Sequence, residues 1–143
     1  MCKIKLINIV NCHDAGVLIN PALAQAQVHG GMSMGIGYGL HEKMIFDKKT
    51  GRPLNNNLLD YKLPTSMDHP SLQAEFIENP EPESAFGAKG LGEPPVSSVA
   101  PAIGNAVYFA TGVSLNALPM DPPELYKAFS EAGLIDGSER TGR

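Results

Sequence analysis

The stretch NPALAQAQVHGGMSMGIGYGLH, residues 20–41, decides the fold. It opens with two signals of a helix start, Asn20 as N-cap and Pro21 at the first helical position. The spacing predicts a helix over 21–41. Yet five glycines fall between Gly30 and Gly39. Each interior glycine costs a helix about 1 kcal/mol against alanine, roughly 5 kcal/mol for the set. Something must offset that loss. On a helical period Gln27, Gly31, Met34, Gly35 and Tyr38 share one face. Either the missing Cβ atoms let another element approach closely, or they make room for a buried polar ligand addressed by the Gln27 amide. The residue pattern leaves both readings open.

Outward from this helix the signals are shorter. Residues 3–12 mix charge with Ile4, Leu6, Ile7, Ile9 and Val10 and predict a strand, closed by His13, Asp14, Ala15 and Gly16. On the other side, residues 42–46 resemble a strand and 47–51 a hairpin turn, with mostly loop over 52–71. A further strand is expected over 72–78. A second helix should run from Pro94 to Thr111 and stop at Gly112, and a short one from Pro122 to Ala132, capped by Gly133. Residues 136–143 carry no apolar anchor and are expected to form a flexible tail after a unit spanning 1–135. The class predicted is α+β, with the glycine-rich helix and a second helix packed on a small, mostly antiparallel sheet. That sheet is thin and the loop over 47–71 is long for an independent domain, which favours a piece of a larger fold.

The totals narrow the classes. With 43 % hydrophobic and 18 % charged residues among 143, the chain reads as soluble and globular. A net charge of −4 gives no reason to expect nucleic acid or an anionic membrane as partner. No apolar run approaches the roughly 20 residues that span a bilayer. Cys2 and Cys12 are too few for a disulfide framework, and residues 1–3 lead into a strand with no signal peptide, so a cytoplasmic protein is expected. His13, His29, His41 and His69 lack the spacing of a two-histidine metal site, and no metal ligand is assigned.

A second glycine cluster is more specific. The segment GAKGLGEPP, residues 87–95, is neither a Walker loop nor a dinucleotide fingerprint, because its spacing fits neither. Glycines here would let main-chain N–H groups press against a ligand. Glu93 precedes Pro94, which predicts an extended backbone at the mouth of the following helix. A carboxylate held there, in the positive end of a helix dipole, suits a general base; it equally suits an ordinary helix start. Lys89 could meet an anionic cofactor or be a solvated loop charge. Asp14 reads as a strand-end residue bonding nearby backbone N–H groups.

Taken in order, these segments resemble a known family. His13 to Pro21, Gln27 to Leu40, Asp47 to Asn57, Asp60 to Thr65 and Lys89 to Pro95 look like the C-terminal part of the molybdenum-binding large subunit of xanthine dehydrogenase/aldehyde oxidase-type hydroxylases. The resemblance implies a molybdopterin-type cofactor, often in its cytosine dinucleotide form. It implies that Gln27 contacts the pterin and that Lys89, Gly90, Leu91 and Gly92 lie against the molybdenum centre. Glu93 would be the catalytic base, taking a proton from Mo–OH while hydride passes to Mo=S. The substrate carbon would belong to a purine, another N-heterocycle or an aldehyde. Implied partners are the remainder of the molybdenum subunit and the iron–sulfur and flavin (FAD) subunits or domains, with a homodimer left open. The upstream part of such a subunit is several times longer than this chain, so activity is expected only in its company. The alternative is an inactive module that keeps the family fold.

Overall fold

The computed structural model describes residues 2–135. Helix α1 (Pro21–Leu40) begins as expected, with the Asn20 side chain accepting the Leu23 N–H at 3.1 Å. Two rows of residues run along it at the four-residue spacing that aligns side chains on a helix. Val28, Met32, Ile36 and Leu40 form the apolar row, buried with Val99, Ile103 and Met120 at the centre of the core. Gly31, Gly35 and Gly39 form the row beside it.

The glycine row is a groove for the second helical segment. This segment comprises α2 (Pro94–Ser97) and α3 (Val99–Thr111). A Cβ built on Gly31 would lie 2.4 Å from the Pro95 Cβ, and one on Gly35 2.4 Å from the Val99 Cβ. Close approach between helices is therefore what these two glycines permit. The single helix expected over 94–111 is interrupted at Ser98. Pro101 explains the position, since it has no N–H for the Ser97 carbonyl four residues earlier. Gly112 ends α3 in the left-handed region at φ 73°. Helix α4 (Pro122–Glu131) follows, capped by Asp121, whose carboxylate accepts the Glu124 N–H.

The α+β class holds, but the sheet is not the antiparallel one expected. Strands β1 (Asn8–Asp14) and β2 (Ser71–Ile77) pair in parallel, in a register running from Asn8 with Ser71 to Asp14 with Ile77. The reason is the connection: α1 carries the chain back before β2 begins, as a crossover between parallel strands requires. Ile9, Asn11 and His13 of β1 and Leu72, Ala74 and Phe76 of β2 point inward. The ladder also starts later than the strand expected from residue 3, because β2 offers only seven residues to pair with.

The hairpin turn over 47–51 forms, yet its flanks meet in one antiparallel bridge, Phe46 with Pro53. Buried Asn55 takes over from the strand expected at 42–46. Its amide oxygen accepts the Ile45 N–H at 2.8 Å and its amide nitrogen donates to the Lys43 carbonyl at 2.7 Å. The tail expected over 136–143 lies outside the described residues. Among the described residues no helix is long and apolar enough to cross a membrane.

Candidate active site at the glycine loop

The loop over residues 87–93 is fastened at its start to the end of β1. Gly16 and Ala88 form an antiparallel bridge, with Val17 N–H donating to the Gly87 carbonyl at 3.0 Å and Lys89 N–H to the Ala15 carbonyl at 2.9 Å. The Gly16 backbone is left-handed at φ 62°, and a Cβ there would stand 2.2 Å from the Gly87 oxygen. Only glycine fits. The Lys89 ammonium turns the same way and donates to Asp14 Oδ2 at 2.6 Å. Asp14 also accepts the Gly16 N–H at 3.0 Å, the strand-end role its sequence position suggested. The Lys89 bond and then the Gly16 bond hold the Asp14 carboxyl below its ordinary range. Both N–H-bearing groups of Lys89 thus face β1.

At its far end the loop is fastened to α1. Gln27 lies one turn before Gly31, at the head of the glycine row. Its Nε2 donates to the Gly92 carbonyl at 3.0 Å. Between these fixings, Leu91 packs its side chain toward the core. Gly90 and Gly92 differ from Gly16: a Cβ at either would meet no atom of the described chain within 4 Å, and neither has a positive φ. Backbone geometry and internal packing do not call for glycine at these two positions.

Glu93 follows at once, exposed, in the N-cap position of α2. Its backbone is helical (φ −90°, ψ −31°) rather than extended as the following proline suggested. The Glu93 carbonyl accepts the Val96 N–H at 2.9 Å, and that first helical bond outweighs the pre-proline bias. Its side chain makes no capping bond, so the carboxylate is uncommitted to the helix start. The structure therefore brings Gln27 to Gly92, next to Glu93, and commits the Lys89 side chain to Asp14.

Two residues with roles here, Asn11 and Phe86, were not singled out from sequence. Asn11, 7 % exposed, donates from Nδ2 to the Pro95 carbonyl at 3.1 Å and accepts from Ser98 Oγ at 3.4 Å, tying α2 to β1. The signal was a polar side chain at an inward position of the strand alternation. Phe86, just before the loop, holds a left-handed backbone at φ 57° and leaves its ring 86 % exposed. No composition rule marks such a residue. His13, named from sequence only as closing the first strand and lacking metal-site spacing, has its Nε2 buried without a hydrogen-bond partner among the described residues, and burial pushes its imidazole below its ordinary value.

Comparison with known proteins places the chain as a whole. Residues 1–70 match the molybdopterin cofactor-binding domain family. Over 135 residues, 94 % of the chain, it is 56 % identical to the xanthine dehydrogenase molybdenum-binding subunit of Escherichia coli O157:H7. The chain belongs to the molybdenum-binding large subunit family of xanthine dehydrogenases and aldehyde oxidoreductases. It is also 35 % identical over 136 residues to the nicotine 6-hydroxylase large subunit of Paenarthrobacter nicotinovorans, covering 93 % of this chain and 16 % of that relative. Among solved structures, quinoline 2-oxidoreductase from Pseudomonas putida 86 superimposes with a TM-score of 0.82 at 29 % identity, over 89 % of this chain and 16 % of that one. Aldehyde oxidoreductase from Desulfovibrio gigas gives 0.78 at 31 % identity, over 88 % and 14 %. The chain spans 18 % of the length of the E. coli subunit.

Proposed function

We propose that this chain forms one wall of the active site of a molybdenum hydroxylase, with Glu93 as catalytic base. The observation that carries the reading is the 3.0 Å bond from Gln27 to Gly92, which sets the exposed Glu93 carboxylate beside an open glycine loop. The residues present fit a molybdopterin-type cofactor. Gly90 and Gly92 leave a clear approach that nothing in the described chain uses. Gln27 is exposed, and its amide retains acceptor and donor capacity beyond the bond to Gly92. Among the described residues no three His, Cys, Asp or Glu side chains converge on a metal. That set suits a cofactor held by hydrogen bonds and bringing its own metal ligands.

In this reading Gln27 and the backbone of Gly90, Leu91 and Gly92 hold the cofactor, while Lys89 secures the loop through Asp14. The cofactor, when bound, supplies the metal and the two-electron redox chemistry of an oxidative hydroxylation. Glu93 removes a proton, at a carboxylate oxygen, from the hydroxyl group that is transferred to substrate. Its position is held by α2, which is packed against the glycine row of α1. The substrate class is an electron-poor carbon of an N-heterocycle, a purine included, or of an aldehyde. The names of the relatives, which act on xanthine, nicotine, quinoline and aldehydes, support that breadth. The remainder of the large subunit and iron–sulfur and flavin partners complete the enzyme.

The test is co-expression of the chain with the rest of a large subunit. Glu93→Gln should retain molybdenum and lose turnover by about 10²–10⁴-fold, the range of general base catalysis. Undiminished turnover in that variant would sink the assignment of Glu93.

A further inference from the structure

Residues 3–6 have the pattern of a strand, and among the described residues no strand pairs with them. Burial alternates from Lys3 to Ile7: Ile4 and Leu6 pack toward the core while Lys3, Lys5 and Ile7 are exposed. A two-residue period is that of a β-strand. A slip of one residue at Ile7 and Asn8, both exposed, separates this segment from β1. Residues 3–6 enter no backbone hydrogen bond among the described residues. Beside them runs an apolar groove of about 600 Å³, whose far wall is built from Ile103, Val107, Ala110 and Phe129. The sheet is unfinished in a second sense. Parallel sheets are normally covered on both faces, yet the outer face here shows Val10 at 53 % and Ile77 at 58 % exposure.

We propose that residues 3–8 and the groove beside them are the docking strip for an extended segment of the rest of the large subunit. That segment adds a strand alongside residues 3–8, and its alternate side chains fill the groove. The occupant follows from the proportions: the chain spans 18 % of the E. coli relative, so most of that polypeptide remains to be packed around it. The N–H and C=O groups of residues 3–6, unpaired among the described residues, give the strand its ladder. Exposed Lys3 and Lys5 favour acidic residues at the facing positions. This rests on the reading of the chain as part of a molybdenum hydroxylase subunit and names the surface through which the site is completed.

Hydrogen–deuterium exchange tests it. The full chain is measured alone and co-expressed with the E. coli subunit lacking its matched 135-residue segment. The amides of residues 3–6 should exchange freely in the chain alone and slow by about 100-fold or more in the complex. Ile7→Lys, at a position 83 % exposed and so harmless to the fold, should weaken the complex about tenfold. Lys48→Ala, on the distant turn, should leave it unchanged. Protection of residues 3–6 in the chain alone, whether from its own residues or from a second copy, would overturn the proposal. So would the absence of a complex, or a complex in which residues 3–6 still exchange freely. A complex that needs Glu93 for turnover but leaves the strip unprotected refutes the docking surface only. A protected strip with full turnover in Glu93→Gln refutes the catalytic assignment only.

Discussion

Replacing Gly35 by alanine puts a methyl group where Val99 already stands. The new Cβ would lie 2.4 Å from the Val99 Cβ, against about 3.5–4.0 Å for carbons in favourable contact. Because the obstacle is itself a Cβ, no rotamer change of Val99 clears it. Helices α1 and α3 must separate by about 1 Å or more to restore a normal contact. Overpacking of this kind costs about 1–3 kcal/mol, and the better helix propensity of alanine returns about 1 kcal/mol. A net loss of about 1–2 kcal/mol is expected near the middle and top of that range. Gly30 supplies the control in the same helix. A Cβ there meets nothing within 4 Å, so Gly30→Ala should gain about 1 kcal/mol from propensity alone. Urea denaturation followed by circular dichroism reads both variants. Their midpoints should move in opposite directions. If Gly35→Ala is as stable as the parent, close helix approach is not what fixes glycine at this position.

Two further outcomes follow from the supports around the loop. Asn11→Ala leaves the Pro95 carbonyl without its donor in a buried place, and should cost about 1–3 kcal/mol in the same denaturation assay; a change below the scatter of the measurement would remove Asn11 as the tie between β1 and α2. The Asp14 carboxyl is held below its ordinary value of 3.8 by Lys89 and the Gly16 N–H. Its folded pKa therefore lies below the unfolded one, so its contribution to stability is present above the ordinary value and is lost as pH falls through the lowered one. Carboxyl NMR should place the Asp14 titration below 3.8 in the parent and move it upward in Lys89→Met; an unmoved titration would mean that Lys89 does not hold it.

The helices were legible because their signals are local. Asn20 with Pro21, the pair Pro94 and Pro95, and Gly112 each act within one turn of themselves, and the structure uses them as read. The break at Ser98 was legible too, had Pro101 been traced to the carbonyl it leaves unpaired. Strand direction was not. A run of alternating residues says which face is buried, and nothing in it says which way its neighbour runs; that is set by the crossover through α1. The hairpin at 47–51 drew attention to an antiparallel ladder, but Asn55 supplies the bonds that a strand there would have made. For the site, the glycines at 90 and 92 and the carboxylate of Glu93 stand out in the sequence. The bond that joins them to Gln27 spans 65 positions, and its existence depends on how close two helices come.

The loop that carries the candidate base is mounted at three points, and each removes a different freedom. The bridge at Gly16 sets its height above the sheet, the Leu91 side chain sets its depth, and the Gln27 amide stops it from swinging sideways. Gly90 is the one residue between the first mount and the second without a fixing of its own. Any play in the assembly is therefore confined to a single residue upstream of Leu91. Glu93 lies beyond the last mount and takes its position from the helix pair behind it. Errors introduced into the loop should consequently blur the proposed cofactor contact before they move the carboxylate, whereas errors introduced along the glycine row, which begins one turn beyond Gln27 and packs on Pro95, should displace the carboxylate first.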